Sequence, residues 1–308
     1  MAFKFNPITG KLDIVALANG SAAGQIPFWN NSGSKWEHTE ISELVWDDSN
    51  KRLGIGIDTP SDKIHLVGGG LLATGTTGGT PVSGSGTRLM WIPAKSAFRA
   101  GSVSGTEWDD ANVGISSVVF GYRGTASGDF STCFGRQGIV SGSMSTHFGY
   151  RGTVSLGYST HFGYGGLVSG SYSTHFGRQG TVSGLMATHF GYLGMAAGDY
   201  SWVGGKYMQL SSSATCSFAW GYHTSVVSLT QPNTFYIFPG GTVGKVAIGT
   251  TSPATSAIMD ITSTIGALLL PRMTTVQRDA LTPVNGMLIY DTTLNQTQTY
   301  ENGAWRQI

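Results

Sequence analysis

From Phe120 to Gly204 the chain repeats one arrangement of apolar, small and polar positions every fourteen residues. The unit reads Phe-Gly-x-x-Gly-x-x-Ser-Gly-x-x-Ser-Thr-His. Phe120, Phe134, Phe148, Phe162, Phe176 and Phe190 open successive copies. Each is followed at once by Gly, and four residues on by Gly124, Gly138, Gly152, Gly166, Gly180 or Gly194. A short fixed period is the signature of a stacked repeat. Gly at this density argues against a helix pair, since each Gly in a helix interior costs about 1 kcal/mol relative to Ala. Two short strands joined by tight turns fit instead, giving one coil of a β-solenoid whose coils stack about 4.8 Å apart. In Ser-Thr-His-Phe-Gly the alternation places Thr146 and Phe148 on one face and Ser145 and His147 on the other. The Phe face is expected to be the interior. Phe120, Phe134, Phe148, Phe162, Phe176 and Phe190 then form the structural core column, each contributing roughly 1.5–3 kcal/mol.

The pattern outside the repeat predicts short β elements and one short helix. Six segments emerge: 1–24, 25–70, 71–97, 98–223, 224–265 and 266–308. The first holds two short strand candidates punctuated by Asn6-Pro7 and Thr9-Gly10, then a small, polar linker from Ala16 to Gly24. In 25–70, short β runs alternate with Asn, Ser, Gly and Asp turns. His65 lies in an alternating apolar strand and reads as a packing residue. Residues 71–97 are a Gly/Ser/Thr-rich linker or shoulder. The roll covers 98–223, with an insertion around Trp108-Asp109-Asp110. Its period breaks after Gly204, with an insertion from Lys206 to Thr215 and an irregular last turn at Cys216–Tyr222; Phe235 to Phe238 is a further strand. Val246-Ala247-Ile248-Gly249, in 224–265, repeats the pattern of Leu53-Gly54-Ile55-Gly56. In 266–308 an extended run leads into a short helix capped by Thr274 or Thr275, followed by a strand and a hairpin turning at Asn302-Gly303.

Composition narrows the function. Only 11% of the 308 residues are charged and the formal net charge is +1, so there is no electrostatic case for nucleic acid or an anionic membrane. The 46 glycines favour repetitive β structure. No apolar run approaches the length of about 18 residues that spans a membrane, and no apolar signal-peptide region opens the chain. Cys133 and Cys216 are too few for a disulfide framework. A narrow roll has little interior, and its Gly/Ser/Thr sides pack best against copies of itself, which predicts an oligomer.

The repeat is similar in spacing to the head repeat of YadA-type trimeric adhesins. Their core Ser-Val-Ala-Ile-Gly appears here as Ser117-Val118-Val119-Phe120-Gly121 and then as Ser145-Thr146-His147-Phe148-Gly149. The resemblance covers 98–204 and implies a left-handed parallel β-roll that packs as a trimer. The signal peptide and membrane-anchor barrel of such adhesins are not visible. Three other stretches resemble phage tail-fibre sequences. Residues 1–15 look like the opening segment of phage structural proteins, implying attachment to the virion. Arg52-Leu53-Gly54-Ile55-Gly56 running to Lys63-Ile64-His65-Leu66, with its second copy at 246–261, resembles interlaced β-stalk segments. Leu270-Pro271-Arg272-Met273-Thr274-Thr275, with Gly286-Met287-Leu288-Ile289-Tyr290-Asp291 and Tyr300-Glu301-Asn302-Gly303-Ala304-Trp305, resembles a terminal fibre module.

Catalytic chemistry is poorly represented. Among acids the repeats hold only Asp129 and Asp199, at opposite ends of the roll, so the paired carboxylates of a polysaccharide-cleaving groove are not expected there. Asp109 and Asp110 remain candidates for meeting an acid of a neighbouring chain. No metal-binding or phosphate-binding spacing occurs. Two ladders stand out. His147, His161, His175 and His189 share a column headed by Cys133. It reads as a stack of neutral rings; facing a threefold axis, it would instead suit a metal or anion. Tyr122, Arg136, Tyr150, Tyr164, Arg178 and Tyr192 form another column, beside Arg123, Gln137, Arg151 and Gln179. These are solvated corner residues or a glycan-binding strip using stacking and bidentate hydrogen bonds. The expectation is therefore a mostly β, elongated homotrimeric fibre of a phage virion, with the roll flanked by interlaced β-stalks. It has no cofactor, no enzymatic activity and no membrane insertion. It holds other tail or baseplate proteins through its N-terminus and attaches to a host-surface glycan or protein. The alternative is a purely structural connector, collar or head-decoration fibre; a polysaccharide-degrading tailspike ranks below both.

Overall fold

The computed structural model describes residues 2–6, 11–15, 23–30, 32, 35–40, 43–238 and 244–308. It comprises two units, Met1–Thr74 and Gly75–Ile308. In the first, Ala2–Asn6 pairs antiparallel with Lys11–Val15, as the turn residues between them predict. Most of the stretch read as a linker, 16–22, lies outside the described residues. Pro27–Asn30 and Lys35–His38 form a second hairpin. Leu44–Asp47, Arg52–Ile55 and Ile64–Leu66 form a three-stranded sheet whose last pair is parallel.

The two related stalk sequences adopt the same local structure. Leu53–Ile55 pairs in parallel with Ile64–Leu66, and Val246–Ile248 pairs in parallel with Met259–Ile261. Each first strand ends in a glycine at φ +75°, Gly56 or Gly249, against which the returning chain is pressed. A Cβ there would lie 2.2 Å from the Val67 carbonyl oxygen or 2.0 Å from that of Thr262. In both copies the preceding basic residue clasps the connection. Arg52 donates to the Pro60 carbonyl at 2.9 Å, and Lys245 to that of Ala254.

In the second unit the fourteen-residue repeat is a parallel β-solenoid. Long strands Val118–Tyr122, Thr132–Arg136, Thr146–Tyr150, Thr160–Tyr164, Thr174–Arg178 and Thr188–Tyr192 pair in register, Phe on Phe and Gly on Gly. Two-residue strands such as Thr153–Val154 and Leu167–Val168 stack on the other side of each coil. At Gly163, φ is +131° and a Cβ would stand 1.9 Å from the Gly177 carbonyl oxygen, so the close stacking admits only glycine. The solenoid begins before residue 98. Gly86–Ile92, inside the stretch read as linker, pairs antiparallel with Ala97–Val103 and finishes the first edge. Trp108, from the expected insertion, is fully buried in the first coils and donates from Nε1 to the Gly124 carbonyl at 2.9 Å. The stack also runs past residue 223. Trp202 pairs with Phe218, and Phe218 with Phe235, all in parallel.

The interior corrects the sequence reading. Val119, Cys133, His147, His161, His175, His189 and Val203 fill one inward column, and Ala126, Val140, Val154, Val168, Val182 and Ala196 the facing one. Phe120, Phe134, Phe148, Phe162, Phe176 and Phe190 point outward; Phe148 is 37% exposed. The alternation was read correctly and its sense reversed, and a one-residue choice flips every side chain of a strand. The cause is the narrow coil. Each level has room for one ring, and the position across from it is glycine. A Cβ on Gly152 would lie 2.4 Å from His161 Nδ1 and 2.5 Å from His147 Nε2. Serines complete the interior. Ser159 Oγ donates to the Gly170 carbonyl at 2.8 Å and accepts from the Ser173 backbone N–H at 3.2 Å, and Ser173 repeats the bond one coil on. Buried backbone groups at the corner are thereby satisfied.

The C-terminal segment follows its sequence signals. Thr274 caps the helix Thr275–Asp279 in a reciprocal capping box with Gln277. Arg272–Met273, Leu288–Asp291, Gln296–Glu301 and Ala304–Gln307 form a four-stranded sheet. Its last hairpin turns on Asn302 and Gly303, both at positive φ, as a type I′ turn demands.

Candidate functional site

The histidine column sits inside a single chain and faces no axis. Its rings stack 4.8–5.0 Å apart and within 13° of parallel. Nε2 of His147, His161 and His175 each accepts the backbone N–H of Gly152, Gly166 or Gly180 at 3.1 Å. That acceptor role places the ring proton on Nδ1. His161, His175 and His189 have no partner for Nδ1, and His147 Nδ1 lies 3.8 Å from Cys133 Sγ. Burial, reinforced at His161 and His175 by neighbouring rings, pushes the pKa values down from 6.5 to about 4, 3, 4 and 4 along the column. The rings are neutral near pH 7. No cluster of three or more His, Cys, Asp or Glu side chains with metal-binding geometry occurs among the described residues.

Arg99, which sequence reading passed over, heads this column. It is fully buried, and its guanidinium donates to the carbonyls of Phe98, Ser117 and Ala126 and to Ser117 Oγ at 2.8–3.1 Å. Burial lowers its pKa to about 10, so it stays charged at neutral pH. Cys133, two coils on, is pushed up to about 11 by burial and is a packing group rather than a nucleophile. Asp109 and Asp110 also have local roles. Asp109 accepts the Gly84 N–H at 2.8 Å, and Asp110 pairs with Lys95 at 3.2 Å.

The outer surface of the long strands carries the remaining candidates. The Phe column is a continuous stack, with centroids 4.7–5.1 Å apart and planes within 12°. Beyond it, at the turn, runs the Tyr/Arg column. The Arg136 guanidinium covers the rings of Tyr122 and Tyr150 at 5.3 and 5.5 Å, and Arg178 covers Tyr164 and Tyr192 at 5.2 and 5.5 Å. Lys206 extends the strip to Tyr222. Arg123, Gln137, Arg151 and Gln179 follow at the turn itself, each near φ +55°. Arg123 Nε bonds Glu107 at 2.9 Å, and Arg151 Nε bonds Gln137 at 3.2 Å. With Glu107, Thr125, Ile139 and Thr153, the first three of these turn residues line a shallow groove of about 350 Å³. The structure thus brings all eight predicted Tyr and Arg residues to one edge.

At the opposite turn lies a column that sequence reading missed. Phe130, Met144, Tyr158, Tyr172, Met186 and Tyr200 all adopt left-handed φ, and all are about half exposed. Tyr158 and Tyr172 stack at 4.7 Å. The signal was available, because each stands ten residues after a repeat Phe. Left-handed φ is costly for bulky side chains. In the C-terminal segment, Arg278 bonds Asp291 at 3.1 Å and Gln298 at 2.7 Å, holding helix to sheet. Leu268, Leu269, Val276 and Val284 nearby are left exposed in the single chain.

Comparison with known families matches residues 247–308 to the phage tail like trimerisation region. No curated protein matches the chain. The matched region supports self-association as a trimer. Together with the fourteen-residue parallel solenoid it fits a phage tail fibre carrying a β-roll repeat.

Proposed function

We propose that this protein is a homotrimeric tail fibre of a phage virion, attaching the particle to the host cell surface through the Tyr/Arg edge of the solenoid. The run of aromatic faces and cationic side chains along one edge from Tyr122 to Tyr222 carries the reading. Such a strip offers stacking surfaces and charged donors together, repeated coil after coil, and three chains multiply weak contacts into avidity. The trimer is joined by the C-terminal region and along the solenoid by the outward Phe column, whose half-exposed stacked rings gain by burial against other copies. The Tyr/Arg edge ends the same strands two residues beyond each Phe and is left open in this arrangement. The fibre works by binding rather than catalysis, and its N-terminal hairpin holds the neighbouring tail protein.

Attachment is tested by incubating the purified trimer with permissive and resistant cells. The trimer is expected to bind permissive cells and to slow phage adsorption. A trimer that binds no permissive strain, with resistance mutations acting through another virion protein, would favour a connector or collar fibre instead.

A further inference from the structure

The charges of the solenoid are segregated by corner. Between Ile115 and Tyr222 its cations are Arg123, Arg136, Arg151, Arg178 and Lys206, and its acids are Asp129 and Asp199. Every cation falls in the two neighbouring columns at the turn after the long strand, and both acids at the turn before it. The acids are occupied locally, since Asp129 accepts the Ile115 N–H and Asp199 the Leu185 N–H, each at 2.8 Å. Among the cations only Arg123 meets a carboxylate, that of Glu107. Arg136, Arg151, Arg178 and Lys206 lie over tyrosine rings with no acid beside them. The solenoid thus presents an unneutralised edge, and that edge calls for an anion.

The spacing describes the anion. The cations never converge on a point, as a site for a small ion requires; they are strung along successive coils. The unpaired cations Arg136, Arg151, Arg178 and Lys206 lie one, two and two coils apart, so charge recurs at about 5–10 Å at the strand spacing. A polyuronate, with a carboxylate on every sugar or on every second one, carries charge at this spacing. Nucleic acid carries its phosphates much more densely. Gln137, Thr125 and Thr153 in the same groove offer hydrogen bonds to sugar hydroxyls, and the tyrosines offer faces to sugar rings.

We propose that the groove and the Tyr/Arg edge bind an acidic, uronate-bearing polysaccharide laid along the solenoid, its carboxylates on the Arg side chains and its intervening sugars on Gln137 and the threonines. The inference rests on the attachment reading only in taking that polysaccharide to belong to the host surface. The test measures binding of the purified full-chain trimer to alginate, polygalacturonate and hyaluronate oligosaccharides, to their carboxyl-reduced forms, to poly-glutamate and to single-stranded DNA. At least one uronate polymer should bind, losing about tenfold or more in affinity between about 50 and about 200 mM salt, as charge-driven binding does. Its carboxyl-reduced form should not bind. The R136Q/R151Q double variant should keep the wild-type melting temperature and lose affinity about tenfold, at roughly 1.4 kcal/mol per factor of ten.

No binding to any uronate polymer, equal binding to poly-glutamate or DNA, or wild-type affinity in the double variant would each overturn the proposal. Cell binding is read in parallel. Intact cell binding by a trimer that ignores uronates removes the polysaccharide and leaves attachment. Uronate binding without cell binding does the reverse.

Discussion

His161 and Phe162 are neighbours in sequence, and each belongs to a ladder of flat rings stacked at almost the same spacing, 4.8–4.9 Å. One ladder is sealed inside the coil and the other lies on its outside. The ring carrying polar nitrogens is the buried one, and the hydrocarbon ring faces out. Hydrophobicity alone ranks them the other way. One local fact and the proposed assembly account for the reversed order. At three of the four levels the inward imidazole accepts the glycine N–H it covers, which phenyl cannot do. An outward Phe column supplies a surface on which copies of the chain can close. In a fibre, part of the hydrophobic core belongs between chains rather than within one.

Acid is the strongest way to break this arrangement. The buried imidazoles have folded pKa values near 3–4 against 6.5 when free. Below pH 6.5 the unfolded chain takes up protons that the folded chain refuses. Stability is therefore untouched above that pH and falls as pH drops towards 4, by about 1.4 kcal/mol per pH unit for each ring. Four rings together amount to on the order of 10 kcal/mol per chain. Melting curves from pH 7 to 4 should show this slope in the wild type. It should vanish in a variant carrying His147→Val, His161→Val, His175→Val and His189→Val, the residue already present at Val119 and Val203 of the same column. An equal acid slope in both proteins would remove the histidines as its cause.

Exchanging the ring types sharpens the contrast. His161→Phe leaves the Gly166 N–H buried without an acceptor, about 1–3 kcal/mol, and overfills the coil for a similar amount. Phe162→His keeps a stacked ring on the outside and should cost about 1 kcal/mol or less. Chemical denaturation of the two variants gives the ranking; equal losses would mean that the ladders are not in different environments.

How much of this was legible in the sequence follows from what periodicity reports. Spacing alone places coils, corners and register, so the Phe-on-Phe stacking was readable directly; the two stalk stretches showed as a repeated motif, and the helix cap was narrowed to Thr274 or Thr275, of which the structure uses Thr274. Periodicity also separates the two faces of a strand, Ser145 and His147 from Thr146 and Phe148. It does not say which face is inside, because that depends on the cross-section of the coil. The clue lay five residues away, in the invariable Gly152, Gly166 and Gly180, which leave space for one ring. Arg99 was hidden for another reason. A cation held by backbone carbonyls has no partner side chain for a sequence pattern to reveal. The Tyr/Arg edge was visible as a column, whereas the charge segregation that gives it meaning needed the positions of Asp129 and Asp199 on the other turn.

Truncating the outer ladder separates coil stability from assembly. An inward Phe162 would cost roughly 3–5 kcal/mol on replacement by Ala. For a partly buried outward ring stacked between two others, Phe162→Ala should cost the isolated chain only about 1–2 kcal/mol. Its larger effect should be on association. Light scattering of the Phe148→Ala, Phe162→Ala double variant should show a looser or dissociating trimer while circular dichroism keeps the wild-type β signal. Loss of the β signal with trimer mass retained would return Phe to the interior.

The smallest effect is expected where the solenoid is strained and exposed together. Tyr158 sits at φ +59°, a conformation that Asn tolerates far better than an aromatic residue. Tyr158→Asn loses one exposed stacking contact with Tyr172 and relieves the backbone. The two effects nearly cancel, leaving a change within about 1 kcal/mol and on the stabilising side if relief dominates. A clear destabilisation in the assembled trimer, absent in the isolated chain, would mean that this corner column is covered by another copy. The bulky residues at Phe130, Met144, Tyr158, Tyr172, Met186 and Tyr200 would then hold their strained conformation for the sake of that contact, and the interchain surface would reach from the Phe ladder to the turn before the long strands.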